Sequence, residues 1–172
     1  MRVSKVLKAI LGFSPEVVIM GVEIVSAARP VVRVHVRPKV RRRGRCGRCG
    51  ELAAWFDNGD GARSWRHLDA GYATVEVVAV ARRVDCGSCG PTVARVPWAR
   101  HASAFTRAFE DLVVHDAVVA NKQAAADRYG VSWRAVNNMC VRLAQEALGR
   151  VDLLDGLVAV AIDEVKYKKG QK

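Results

Sequence analysis

The chain has 172 residues, 51% of them hydrophobic and 26% charged, with a formal net charge of +11 and a pI of about 10.0. That composition excludes a disordered polyelectrolyte, and the length allows one domain or two small ones. The longest apolar runs fall short of the roughly 18 residues a bilayer span needs. Such an excess of cations selects a polyanionic partner, either nucleic acid or an anionic membrane surface.

The chain begins MRVSKVLKAILGF, a basic start followed by an apolar stretch. Lys8 interrupts that stretch and no A-x-A-like cleavage site closes it, which argues against a secretory signal. The spacing predicts instead a short amphipathic helix with Val3, Val6, Leu7 and Ile10 inward. The expected compartment is a reducing cytoplasm, with the protein associated with the nucleoid.

VVRVHVRP, at 31–38, alternates, so Arg33, His35 and Arg37 should share one strand face and Val32, Val34 and Val36 the other. No acidic residue lies between Glu23 and Glu51, while Arg29, Arg33, Arg37, Lys39, Arg41, Arg42, Arg43, Arg45 and Arg48 all fall inside. A solvated face would account for such a run, but charge of one sign repels itself and phosphates relieve it. The expectation is phosphate contact through Arg41, Arg42 and Arg43, positioning the protein without reading sequence. Arg82 and Arg83 could join that face.

CGRCG, at 46–50, and CGSCG, at 86–90, are two C-x-x-C-G units. A two-residue gap lets one turn present two thiolates to a metal, and the following glycine (Gly50, Gly90) can take positive φ. Together they predict a closed zinc site of Cys46, Cys49, Cys86 and Cys89. A redox role would need a C-x-x-C opening a helix, and neither unit does so; a disulfide framework suits an oxidising compartment. His35 and His67 are spare nitrogen donors, expected to be a strand residue and a surface or packing residue. Four thiolates leave no open position, so the metal is structural, not catalytic.

Between the knuckles the sequence predicts a β meander. LAAWF and ARSWRHL flank Asn58-Gly59, a hairpin signal; Ala70-Gly71 marks a second break; YATVEVVAVARRV reads as one long strand. The aromatics, 6% of the chain, form no array on which RNA bases would stack.

Past Pro97-Trp98 the pattern turns helical. FTRAFEDLVVHDAVV has apolar residues at 105, 109, 112, 113 and 117, with Ser103 or Thr106 as cap. NKQAAADRYGVSWRAVNNMCVRLAQEALG then predicts an Asn121 cap, a short helix, a turn at Gly130, and a second helix capped by Ser132. The pattern resembles a helix-turn-helix: Ala126 allows close approach, and Val131 and Val136 fill the core. Spacing puts Val136, Cys140, Leu143 and Ala147 inward. Ser132, Trp133, Arg134, Asn137 and Asn138 then form the outer early face, with arginine suited to guanine and asparagine to adenine. The competing reading is an ordinary helical hairpin with Trp133 in the core. LVAVAI, at 157–162, reads as a buried strand ending in Asp163-Glu164.

In order along the chain, CGRCG, SWRHLD at 64–69, RRVDCGSCG, VPWA at 96–99 with FTRAFE, GVSW at 130–133 and AIDEVKYKKGQ resemble the amino-terminal part of bacterial insertion-sequence transposases of the ISL-three kind. The resemblance implies a zinc module and helix-turn-helix that recognise double-stranded DNA at terminal inverted repeats. It also implies a DDE-type ribonuclease-H-like domain that cuts and joins strands with Mg²⁺, with Asp163 matching the first catalytic aspartate. The second aspartate, the glutamate and most of that domain do not follow, and the proline common after the first cysteine is absent. The expected fold class is therefore α+β: a zinc-stabilised β module with its N-terminal helix over 1–98, a helix-turn-helix domain over 99–150, and the first strand of a truncated catalytic domain over 151–172. The expected function is terminal-repeat binding without cutting by this chain alone, with Mg only in a full-length homologue. The partners would be DNA and a second copy or a full-length transposase, with no membrane. The alternative is a stand-alone zinc-ribbon transcription regulator.

Overall fold

The computed structural model describes residues 3–25, 30–39, 43–149, 155–156 and 158. The element order is α1 (Val3–Ile10), β1 (Val17–Val25), β2 (Val31–Pro38), β3 (Gly44–Arg45), β4 (Leu52–Trp55), β5 (Ala62–Arg66), β6 (Thr74–Val80), β7 (Arg83–Cys86), β8 (Gly90–Val93), α2 (Arg107–Val119), α3 (Lys122–Tyr129) and α4 (Trp133–Leu148). An α+β architecture results: two four-stranded sheets followed by three helices.

The first sheet runs β1-β2-β6-β5, antiparallel except for the parallel β2–β6 pair. Alternation along β2 sends Val34 and Val36 into the core and leaves Arg33, His35 and Arg37 on the opposite face, as expected. Val17, Val75, Val77, Trp65 and Trp98 complete that core, with the two indoles edge to face at 5.6 Å. The N-terminal helix forms, but Ile10 is exposed and the buried residue is Leu11, just past its end. β1 is an outer strand whose Met20, Val22 and Ile24 are exposed.

The second sheet runs β3-β4-β7-β8. Here the structure corrects two expectations. LAAWF and ARSWRHL do not form a hairpin: β4 pairs with β7, and β5 pairs with β6. The Asn58-Gly59 turn instead carries the chain from one sheet to the other. Gly59 takes φ +60°, and a Cβ there would lie 2.6 Å from the Ala81 carbonyl, so the crossing chains meet too closely for a side chain. YATVEVVAVARRV is likewise two strands. β6 ends at Val80, Ala81 turns into the first core, and β7 begins in the second sheet. The Ala70-Gly71 break is a genuine β5–β6 turn, with Gly71 at φ +64°.

The helices pack around Phe109, Val113, Ala125, Ala126, Val136 and Met139. In α4 the inward residues are Val136 and Met139, with Cys140 and Leu143 half-buried and Ala147 exposed; Met139, not Ala147, belongs to the core. Leu112 in α2 is also exposed rather than inward. The strands and helices interlock. Leu68, just after β5, packs on the helical core, while Trp98 and Ala99 belong to the sheet core. Of LVAVAI only Val158 is described, and it is 98% exposed rather than buried. The rest of that run and Asp163 lie outside the described residues.

Candidate metal centre and nucleic-acid interface

Two turns build the cysteine cluster. In the first, Gly50 takes φ +81° and its N–H donates to the Cys46 carbonyl at 3.0 Å, while the Arg48 N–H donates to Cys46 Sγ at 3.4 Å. The second is the β7–β8 turn, where Cys86 pairs with Gly90 at φ +69°. A bridge between Cys46 and Ala94 lays the first turn beside the second.

The four Sγ atoms of Cys46, Cys49, Cys86 and Cys89 lie within 4.8 Å of one another, with Cys49 and Cys86 at 3.5 Å. Four sulfurs about 2.3 Å from one tetrahedral ion would stand roughly 3.8 Å apart, so the set fits a structural metal with little movement. Cys46 and Cys86 are buried, Cys89 is half-buried, and Cys49 is exposed.

The thiols cannot all ionise unaided. Burial pushes Cys46 up, but N–H donors of Cys49 and Arg48 outweigh it and bring the thiol down to about 6. Cys89 is pushed up to about 12, first by its hydrogen bond with Cys49 and then by burial. A divalent cation resolves that conflict, because it is the charge four converging thiolates require.

Neither spare histidine belongs to the cluster. His35 Nε2 lies 3.2 Å from Glu23 Oε1 on the outer face of the first sheet. His67 is buried, with Nδ1 2.8 Å from Thr106 Oγ1 and its ring 5.4 Å from that of Phe13. Burial holds its pKa below the ordinary histidine value, against a backbone hydrogen bond to Leu11. The ring is thus held neutral against the Thr106 hydroxyl, and Thr106 Oγ1 accepts the Phe109 N–H and caps α2.

Part of the arginine run is compensated within the fold. Arg33 lies 3.0 Å from Glu76 and 3.8 Å from Glu23, the cross-strand neighbours that chain order conceals. Arg83 is paired with Asp57, whose pKa falls to about 2 chiefly through that bond, and so does not extend the cationic face. Arg82 stacks over Trp55 at 4.1 Å. Arg43 is exposed, and Arg41 and Arg42 lie outside the described residues.

The helical part has the expected caps. Thr106, Asn121 and Ser132 each accept a backbone N–H at the start of a helix, and Gly130 ends α3 in the left-handed region at φ +61°. Trp133 is 50% exposed, so the hairpin with a tryptophan core does not form. Ser132, Arg134 and Asn138 are exposed beside it. Asn137 is half-buried, and Lys122, a residue the sequence pattern did not single out, donates to its Oδ1 at 2.7 Å while lying 5.5 Å from the Trp133 ring centroid. The outer early face of α4 is therefore a small organised cluster with α3.

A buried carboxylate joins the parts. Glu110 accepts from Ser103 Oγ at 2.7 Å, from Arg100 at 3.2 Å and from Arg142 at 3.1 Å, and is itself wholly buried. Arg100 also reaches Glu146 at 2.7 Å and Asp111 at 2.8 Å. This network ties the 99–106 linker to α2 and α4. Its signal, an acidic residue on the inner face of α2, is legible only once its three partners are known.

Residues 42–89 match the zinc-finger of transposases IS204/IS1001/IS1096/IS1165, and residues 94–144 match the helix-turn-helix domain of transposase family ISL3. Two relatives, the transposases for insertion sequence element IS1557 of Mycobacterium tuberculosis strains CDC 1551 / Oshkosh and ATCC 25618 / H37Rv, are 40% identical over 174 residues. The alignment covers 98% of this chain and 39% of each relative, so the chain spans well under half their length. No solved structure matches. Among the described residues no helix is long and apolar enough to cross a membrane. With both matched regions in order and the cysteines converging in space, the chain carries the zinc-finger and helix-turn-helix domains of ISL3-type transposases.

Proposed function

We propose that the chain is the part of a transposase that recognises the terminal inverted repeats of its insertion sequence in double-stranded DNA. The exposed, capped start of α4, on a chain that also folds a cationic four-cysteine module, carries this reading. Zinc held by Cys46, Cys49, Cys86 and Cys89 sets the β module, taken as 1–98, and the helix-turn-helix covers 99–150. The early face of α4 enters the major groove. There Arg134 addresses guanine and Asn138 adenine; Asn137, positioned by Lys122, reads beside them, and Ser132 and Trp133 flank the contact. Arg41, Arg42 and Arg43 neutralise phosphates. Asp163 is the first carboxylate of a DDE-type site within 151–172. Since two-metal phosphoryl transfer needs several convergent carboxylates, this chain binds but does not cut.

Arg134→Ala is expected to cost about 1–3 kcal/mol at one base pair and to relax preference there. Binding to a panel of single-base variants of the repeat measures this. Equal weakening on every DNA would make Arg134 a backbone contact instead. In a strand-transfer assay with terminal-repeat DNA and Mg²⁺, the chain is expected to give no cleaved product; robust cleavage would overturn the non-cutting assignment.

A further inference from the structure

A cleft of about 860 Å³ separates the first cysteine turn from the distal half of α4. Arg48, Arg63, Arg95 and His101 line its module side, and Arg142 and Gln145 its helix side. Charge pairing sorts these residues. Arg142 is committed to Glu110, and Arg83, at the margin, to Asp57. The carboxylates that line the cleft are Asp60, which faces Arg83, and Glu146, held by Arg100 and Arg107. Arg48 and Arg95 are exposed, and among the described residues neither side chain makes a hydrogen bond or ion pair. Arg63 gives one nitrogen to the Ser103 carbonyl at 2.9 Å.

The metal does not absorb this surplus. Four thiolates around one divalent cation leave two negative charges, fewer than the flanking arginines Arg43, Arg45 and Arg48. The wall of the cleft is also built at a cost. A Cβ on Gly47 would lie 2.5 Å from both His101 Nδ1 and the Val93 carbonyl, so only glycine lets the His101 loop close on the cysteine turn. Ala102, next in that loop, holds φ +57°, which a residue bearing a Cβ adopts only under local compulsion.

We infer that this cleft is a second phosphodiester-binding site, in which Arg48 and Arg95, with Arg63 and His101 behind them, grip the backbone of the strand flanking the one read by α4. The inference rests on the duplex-DNA reading above. From Arg134 to Gln145 the helix rises about 17 Å, more than the roughly 12 Å width of the major groove, so its distal half stands over the next sugar–phosphate chain. Guanidinium groups there form charge-assisted bonds to phosphate oxygens and fix register without reading bases.

The test is the salt dependence of binding to a random-sequence duplex of 30 base pairs, using the zinc-loaded chain. Each lost phosphate contact shrinks the slope of log K against log salt by about 0.9. Arg48→Gln with Arg95→Gln is expected to shrink it by about 1.8. Lys5→Gln with Arg37→Gln, removing equal charge from exposed positions elsewhere, should leave it unchanged. Lysine at both cleft positions should restore the slope, which rules out a folding defect. An unchanged slope in the cleft pair, or an equal loss in the control pair, would overturn the site. Failure of the unmodified chain to bind duplex at any salt would overturn the DNA reading itself.

Discussion

Cys89→Ser is expected to release the metal and unfold the second sheet. The core of that sheet is Cys46, Ala53, Val84, Cys86 and Ala94, with Trp55 and Cys89 packed alongside. Its strands are two to four residues long. So few apolar side chains cannot offset the conformational entropy of ordering four strands, and the deficit falls to the ion. Structural zinc in small fingers contributes on the order of 10–16 kcal/mol near neutral pH, far more than this sheet otherwise has. A serine hydroxyl is a poor replacement for a thiolate ligand, and the three remaining sulfurs leave the tetrahedron open. The checks are metal content per chain and amide exchange: protection should disappear from β3, β4, β7 and β8. Retention of one equivalent of zinc with those amides still protected would remove the metal from its structural role. A strong chelator should reproduce the loss in the unmodified chain.

Glu110→Ala should cost about 3–5 kcal/mol, the usual penalty for deleting one member of a buried ion pair. Glu110 is fully buried, and its removal strands Arg142 without an acceptor, while the Ser103 hydroxyl keeps the Phe105 carbonyl at 3.1 Å and Arg100 keeps Glu146 and Asp111. The penalty arises from the abandoned Arg142 cation rather than from any large net worth of the intact network. Burying two charges is itself expensive, so replacing the whole set by apolar residues of similar volume would cost much less. Urea unfolding of the single and the combined variants distinguishes the two accounts. A loss below about 1 kcal/mol for Glu110→Ala would mean that water reaches the site and screens it.

The features that reasoning from the chain could reach were local ones. The cysteine turns with Gly50 and Gly90, the caps at Thr106, Asn121 and Ser132, and the left-handed Gly130 each depend on a few neighbouring residues. Alternation in β2 was legible for the same reason, since period two survives wherever one face is buried. What escaped depended on distant partners. Nothing within YATVEVVAVARRV says that it must change sheets at Ala81, because the change follows from distant pairing partners, β5 for the first half and β4 and β8 for the second. The arginine run looked uncompensated in linear order, yet Glu76 sits beside Arg33 across a parallel pairing. His67 and Glu110 carry polar groups into cores, against their usual placement, and only their hydrogen-bond partners explain it. Trp133 is the converse case, a large aromatic whose type alone suggests a core but which helical spacing placed on the outer face, where it is half exposed.

The outer strand Val17–Val25 has a practical corollary for handling the protein. Its Glu23 carboxylate turns toward Arg33 and His35, and no lysine or proline guards the strand from within. Concentrated stocks therefore favour border-to-border stacking of molecules, a tendency that dilution and a charged substituent at Ile24 would counteract.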